Sequence, residues 1–258
     1  MRKNTGDLWR QHLPVPDLDS HKYKRGHAVV LGAHELTGAT RLAAEACSRI
    51  GAGLVTVLAE RNADLYRTTL APDVMVSERG LSSIRQARVV LAGCGGATSS
   101  QIETLRQASA GGAALVLDAA AIAPFKHFDC DGAERIFTPH EGEFAAVFPK
   151  LMGSRVDRAM QAAALTKAVI VLKGPQTIIA RPGREAVING HASPYLAKAG
   201  TGDVLAGMIA GLVAQDMACF EAACAAVWMH GEASRLIGPG LVASDIVGQI
   251  PGVLRRLL

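Results

Sequence analysis

Short apolar runs punctuate the chain at Val29 to Leu31, Leu54 to Leu58, Val89 to Leu91, Leu115 to Leu117 and Val169 to Leu172. They are rich in Leu and β-branched residues and are closed by Gly, Asp or Lys, a pattern that predicts buried strands. The intervening segments 38–50, 98–109 and 154–167 read as helices. Strand alternating with helix predicts an α/β fold: a doubly wound, mostly parallel central sheet with helices on both faces and ligands at the carboxyl ends of the strands. Residues 177–190, TIIARPGREAVING, interrupt the alternation, because two short strands flank a Pro182-Gly183 turn. That is a hairpin signal, so the sheet is expected to be mixed. The stretch 203–258 reads as helical, with Pro239 and Gly240 separating a helix that ends near Leu236 from a last one capped by Ser244 or Asp245.

The most informative segment is AGTGDVLAGMIAGLVAQ, residues 199–215. Gly200 and Gly202 flank Thr201, and Asp203 then opens a run with apolar residues at helical spacing. A glycine turn feeding a helix N-terminus lets backbone approach a ligand closely, and the unpaired N–H groups there favour an anion. Gly200, Thr201 and Gly202 are therefore candidates for an anion hole. Asp203 has two readings: an N-cap, or a base acting on a hydroxyl held next to a bound phosphate.

Composition narrows the classes. With 258 residues and 49% hydrophobic content, the chain can bury a sizeable core, read as a polar lead-in over 1–21 and one domain over 22–258. A net charge of +4 without long basic blocks, and 4% aromatic residues, argue against nucleic acid or a membrane surface as partner. Cys47, Cys94, Cys130, Cys219 and Cys224 are scattered without a CxxC pair, which reads as reduced thiols in a cytoplasmic protein.

Four loops after predicted strands carry further chemistry. GAHELTGA (32–39) leads into a helix that contains Ala39, and AGCGGATSS (92–100) brings Gly93, Gly95 and Gly96 together. Each is either an ordinary turn or a backbone surface for substrate, the glycine run favouring close approach. In TPHEGEF (138–144), His140 is either a satisfied loop residue or a ligand contact. Glu141 and Glu143 fall in the first turn of a helix, where a carboxylate serves the dipole or, for Glu143, meets magnesium through water. In LKGPQT (172–177), Lys173 is either a solvated strand-end lysine or, with Thr177, a phosphate contact. No GxxxxGK[ST] phosphate loop occurs, and no His or Cys cluster offers a closed metal cage.

Taken in order, KYKRGHAVVLGAHELTGATRLAAEACSRIGAGLVTVL, TPHEGEF, KGPQT and NGHASPYLAKAGTGDVLAGMIAGLVAQ resemble the ADP- or ATP-dependent (S)-NAD(P)H-hydrate dehydratases, over about residues 22–257. The resemblance implies a ribokinase-like fold and a carbon–oxygen lyase of metabolite repair. Hydrated NADH or NADPH would be returned to NADH or NADPH through phosphorylation of the ring hydroxyl and loss of phosphate. It further implies Asp203 as the catalytic carboxylate, and Ala39, Gly95, His140 and Asp203 as substrate contacts. Lys173, Gly174, Pro175, Gln176, Thr177 and Gly202 would contact the nucleotide. ADP, with ATP as the other candidate, is the expected co-substrate, and Mg2+ is expected on its phosphates without a direct protein ligand. An epimerase domain or protein is the implied partner, and a homo-oligomer is expected.

Three positions depart from the family pattern: Cys94 and Ala97 in GCGGA where it has GPGLG, Ala120 where a second carboxylate follows Asp118, and Leu36 in place of an aromatic residue. Two other readings stay open. One is a ribokinase-like kinase of a vitamin precursor, the other a degenerate nucleotide-binding domain.

Overall fold

The computed structural model describes residues 1–128 and 132–258; Cys130 lies outside the described residues. In chain order the elements are β1 (Arg2–Lys3), β2 (His27–Leu31), α1 (Thr37–Arg49), β3 (Leu54–Leu58), α2 (Ala63–Thr69), β4 (Met75–Ser77), β5 (Ala87–Ala92), α3 (Ser99–Ala110) and β6 (Ala114–Leu117). There follow β7 (Arg135–Phe137), α4 (Glu141–Val147), α5 (Arg155–Thr166), β8 (Val169–Leu172), β9 (Thr177–Ala180), β10 (Val187–Asn189), α6 (Thr201–Ala214), α7 (Cys219–Ile237) and α8 (Ala243–Leu257).

The strands form one ten-stranded sheet in the order β1-β10-β9-β8-β7-β6-β5-β2-β3-β4. All neighbours run parallel except β9, which is antiparallel to both β8 and β10, so the hairpin makes the sheet mixed. From β2 the chain proceeds to β3 and β4 on one side, then returns to place β5 on the other side of β2. The loops after β2 and β5 therefore flank a topological switch point, where open α/β sheets form their ligand crevice.

Each face of the sheet carries its own core. Val30, Val57, Val89, Leu91 and Val116 pack under α1, α6, α7 and α8. Val29, Leu31, Val90, Leu115 and Leu117 point the other way, among residues of α3 and α5. Alternation along strands buried on both sides explains why their sequences read as continuous apolar runs. Helix α6 is buried almost all round, and it reaches α1 closely because Gly207 and Gly211 carry no side chain. A Cβ at Gly207 would fall 2.1 Å from the Ala43 carbonyl oxygen, and one at Gly211 would fall 2.2 Å from Ile50.

The lead-in packs closely despite its polar sequence. β1 pairs with β10, and Trp9 is fully buried, with its indole N–H donating to Asn4 Oδ1 at 3.1 Å. At the other end, α8 is capped from Val242, whose N–H donates to Asp245 Oδ2 at 2.8 Å, so Asp245 acts from inside the first turn. Among the described residues no helix is long and apolar enough to cross a membrane.

Candidate active site

The carboxyl ends of β5, β6, β7 and β8 converge on the N-terminus of α6. After β5, the turn from Gly93 to Gly96 takes left-handed conformations at Gly93 (φ +103°), Gly95 (φ +87°) and Gly96 (φ +122°). The turn is wedged between two neighbours. A Cβ at Gly93 would lie 1.8 Å from the Asp118 carbonyl oxygen, and one at Gly95 would lie 2.4 Å from that of Leu36. Thr40, in α1, fastens the same region by accepting the Ala33 N–H at 2.9 Å and donating to the Cys94 carbonyl at 3.2 Å. Ala39, partly buried in the first turn of α1 after the β2 loop, and Gly95, in the loop after β5, thus flank the switch point.

Asp118 follows β6, is 5% exposed, and accepts two donors on one oxygen: Thr138 Oγ1 at 2.6 Å and Lys173 Nζ at 2.8 Å. Burial by itself would lower the lysine pKa, but the Asp118 carboxylate, with help from Glu143, raises it above its ordinary value. Lys173 also leans over the glycine turn, since a Cβ at Gly202 would meet its Nζ at 3.3 Å. The lysine is held in place by this ion pair, which rules out the solvated strand-end reading.

Gly200, in the left-handed conformation (φ +89°), is the N-cap of α6, and the helix begins at Thr201. Asp203 is therefore the third helical residue, which corrects the reading of it as the cap. The Thr201 hydroxyl is spent on loop carbonyls, at 2.9 Å from those of Leu196 and Lys198. The Thr201 N–H donates to the Lys198 carbonyl at 3.5 Å, so an anion hole would draw mainly on the N–H groups that follow it in the first helical turn, which have no partner within the helix.

Asp203 shares its surroundings with Cys94 and Asp118; ligand atoms of the three lie within 4.8 Å of one another. Burial and the like charge of Asp118 raise the Asp203 pKa to about 6, while the Cys94 thiol and the Lys173 ammonium act against the rise. A half-buried carboxylate with a pKa just below neutrality, beside a second carboxylate and a lysine, has the properties of a general base.

His140 and Glu143 form a capping box at the start of α4: His140 N–H donates to Glu143 Oε2 at 2.8 Å, and Glu143 N–H donates to His140 Nδ1 at 3.1 Å. The other carboxylate oxygen lies 3.3 Å from His140 Nε2. Both oxygens of Glu143 thus face His140, each with a lone pair left over for water or an ion. The imidazole remains 60% exposed and sits beside Lys173, whose N–H donates to the Pro139 carbonyl at 2.8 Å.

In the loop from Lys173 to Thr177, the Arg155 guanidinium donates to the carbonyls of Gln176 at 2.8 Å and Lys173 at 3.1 Å, and also pairs with Glu141. Gly174 makes room for it, because a Cβ there would lie 2.5 Å from the guanidinium. Pro175 and Gln176 are exposed and Thr177 is half-buried. The structure thus brings Asp203, Gly202, Lys173, His140 and Gly95 to one end of the sheet.

Four participants were not singled out as site residues in the sequence: Asp118, Thr138, Cys94 and His230. Asp118 carried a signal, an acid at a strand end. His230 carried none, because it lies within the apolar helix α7, 7% exposed, with Nε2 lacking a hydrogen-bond partner among the described residues. Burial lowers its pKa to about 4, so the imidazole is neutral beneath the Thr201 backbone.

Comparison with known proteins bears on the family and the fold. A family model described as NAD(P)H-hydrate dehydratase matches residues 27–243. The chain is 33% identical to an ADP-dependent (S)-NAD(P)H-hydrate dehydratase of Neisseria meningitidis, over 93% of this chain and 87% of that one. It is 30% identical to a bifunctional NAD(P)H-hydrate repair enzyme of Thermosynechococcus vestitus, over 93% of this chain and 52% of the other. The chain therefore spans about half the length of the bifunctional relatives it matches. Among solved structures, the Bacillus subtilis ADP/ATP-dependent NAD(P)H-hydrate dehydratase co-crystallised with ATP/Mg2+ superposes with a TM-score of 0.89 at 29% identity, covering 100% of this chain and 99% of that one. An Arabidopsis thaliana ribokinase shares the fold, with a TM-score of 0.64 at 12% identity, covering 89% of this chain and 99% of that one.

Proposed function

The chain belongs to the NAD(P)H-hydrate dehydratase family, and on that premise we propose that it converts hydrated NADH or NADPH back to NADH or NADPH, spending a phosphoanhydride bond of ADP or ATP. The observation that carries the reading is Asp203, a carboxylate with a pKa of about 6 in the first turn of α6, next to the Lys173–Asp118 pair.

Water is a poor leaving group, so the ring hydroxyl is first made into a phosphate ester. Asp203 takes the hydroxyl proton as the oxygen attacks the terminal phosphorus. The anhydride P–O bond breaks, releasing AMP from ADP or ADP from ATP. The ring nitrogen lone pair then expels phosphate with cleavage of the C–O bond, and loss of a proton from the adjacent carbon restores the reduced nicotinamide. The first-turn N–H groups around Gly200, Thr201 and Gly202 and the Lys173 ammonium are assigned to the transferring phosphoryl group. Ala39, Gly95 and His140 are assigned to the substrate. Residues 173–177 with Gly202 are assigned to the nucleotide.

Magnesium would supply charge neutralisation on the phosphates, held by their oxygens and water. Glu143, whose two oxygens face His140, is assigned a water-mediated contact to the ion. Thorough chelation of divalent ions is expected to abolish turnover while leaving the protein folded by circular dichroism; full turnover after chelation would refute the magnesium assignment.

The activity is assigned to residues 22–258, buttressed by 1–21, in a cytoplasmic homo-oligomer. An epimerase that interconverts the hydrate epimers is the expected partner activity. The deciding experiment incubates the protein with chemically hydrated NADH and either ADP or ATP. Recovery of the NADH absorbance with release of phosphate supports the dehydratase. A stable phosphorylated alcohol points instead to a kinase, and nucleotide binding without turnover to a degenerate domain. A marked preference for ATP would overturn the choice of ADP.

A further inference from the structure

Ala39, Gly95, His140 and Asp203, the residues assigned to the substrate, account for its reacting ring, yet hydrated NADH is a dinucleotide with an adenosine half to house. Residues 173–177, after β8, are assigned to the co-substrate, so that side of the site is taken. The other direction along the sheet runs from β5 across β2 to β3 and β4.

A cleft opens there, beyond the carboxyl ends of β2, β3 and β4, with a volume of about 320 Å³ counted to its open mouth. Leu31, Leu58 and Leu81 give it apolar walls, and Glu60, Glu78 and Arg79 bring charged groups to it. Apolar surface joined to a few polar groups is the general make-up of a small-molecule site, and it suits a planar base with its sugar.

Hydrogen bonds tie this cleft to the switch point. Gln101, a wall residue only 2% exposed, donates from Nε2 to the Gly32 carbonyl at 2.7 Å, at the start of the loop that leads to Ala39. Glu60 accepts the Ser100 hydroxyl at 2.6 Å and lies 3.2 Å from His34 Nε2. One carboxylate therefore gathers the loop after β2 and the start of α3 against the end of β3. Two to three strand spacings, about 10 to 14 Å, separate the loop after β5 from the cleft, a span that one dinucleotide can bridge.

We propose that this cleft is the subsite for the adenosine half of the dinucleotide substrate, with the pyrophosphate crossing the loop after β2 on its way from Asp203; this rests on the dehydratase reading. Binding energy gathered by that remote half would then support the reaction at the ring.

The test narrows the cleft from two of its walls, with Gly80→Leu in the segment after β4 and Thr104→Trp on α3. Gly80 has an ordinary backbone (φ −58°), and a Cβ there would meet nothing within 4 Å; Thr104 is partly exposed. Each variant is given hydrated NADH and, separately, the hydrated form of reduced nicotinamide mononucleotide, which keeps the ring and lacks the adenosine half, with ADP saturating. In the parent, kcat/KM is expected to favour the dinucleotide by about tenfold or more, and that preference should fall by about tenfold in at least one variant. An equal kcat/KM for the two substrates in the parent would overturn the proposal. So would a preference that both variants leave unchanged, including the case in which they slow both substrates alike. Should Gly80→Leu fail to fold by its melting temperature, Thr104→Trp decides alone. A parent that turns over neither substrate would sink the dehydratase reading instead. NADH binding, followed by its fluorescence, then still decides on the cleft: weaker binding in a variant supports the subsite, and equal affinity in parent and variants overturns it.

Discussion

Replacing Asp203 by Asn removes a proton acceptor while keeping the shape of the side chain, and the structure gives opposite signs for its effects on turnover and stability. In the folded protein the carboxyl pKa is raised from 3.8 to about 6. At 1.36 kcal/mol per unit, the ionised group destabilises the native state by about 3 kcal/mol at neutral pH, or about 2 kcal/mol once partial solvent exposure is allowed for. The sign follows from proton linkage: between about pH 4 and 6 the native state binds more protons than the unfolded chain, so this contribution to stability is lost as pH rises through that window. An uncharged Asn avoids the loss. Asp203→Asn is therefore expected to melt about 4 to 8 °C higher than the parent at pH 7.5, with the gain shrinking toward nothing at pH 4. A residue serving only as a helix cap would instead leave stability almost unchanged, because Asn caps a helix about as well as Asp. Turnover of hydrated NADH should drop by about 100-fold or more, the range for loss of a positioned base, with nucleotide binding retained. Near-normal turnover would refute the base assignment. An unchanged or lower melting temperature at pH 7.5 would refute the account of a strained, buried charge.

Lys173→Met is expected to destabilise by about 3 to 5 kcal/mol in urea unfolding, because it leaves the buried Asp118 carboxylate unpaired. Adding Asp118→Asn should restore most of that stability without restoring turnover. Trp9→Ala should cost about 3 to 5 kcal/mol, since Trp9 is fully buried and packs on Trp228 with ring centroids 5.5 Å apart; a shift in melting temperature of under a degree would mean that the lead-in does not support the core. The His230 pKa is lowered to about 4, so its contribution to stability is complete above about pH 6.5 and is lost as pH falls toward 4. His230→Gln should therefore flatten the acid side of the stability curve, and a curve parallel to the parent's would count against a buried neutral imidazole.

The central strands were legible because each is covered on both faces and so reads as an unbroken apolar run. The switch-point loops were legible because their glycines cluster. β1 and β4 were not, since strands of two and three residues at the two edges of the sheet offer no periodicity to detect. Trp9 sits in a polar stretch, and its burial depends on Trp228, far away in sequence. At the site, Asp203 was visible as a candidate, but its position within the helix was not. Sequence shows an acid after a glycine turn, whereas the choice between cap and third residue depends on the left-handed backbone of Gly200. Asp118 was passed over as a site residue because its partners arrive from separate strands: Thr138 after β7 and Lys173 after β8.

Two neighbouring carboxylates acquire different tasks when their surroundings push them apart. Asp118 lies deep, with an ammonium and a hydroxyl on one oxygen. It anchors Lys173 over the glycine turn, where a phosphoryl group would sit. Asp203 lies closer to solvent, and burial together with the Asp118 charge raises its pKa. Removing Asp118's charge should accordingly lower the Asp203 pKa part of the way toward that of an ordinary carboxylate, with burial still holding it up. That would make it easier to ionise but a weaker proton acceptor, and it would free Lys173 from its post. Exchanging the two environments would exchange the roles. The raised pKa of Asp203 thus comes first from its burial and then from the charge of Asp118, the same carboxylate that positions the lysine.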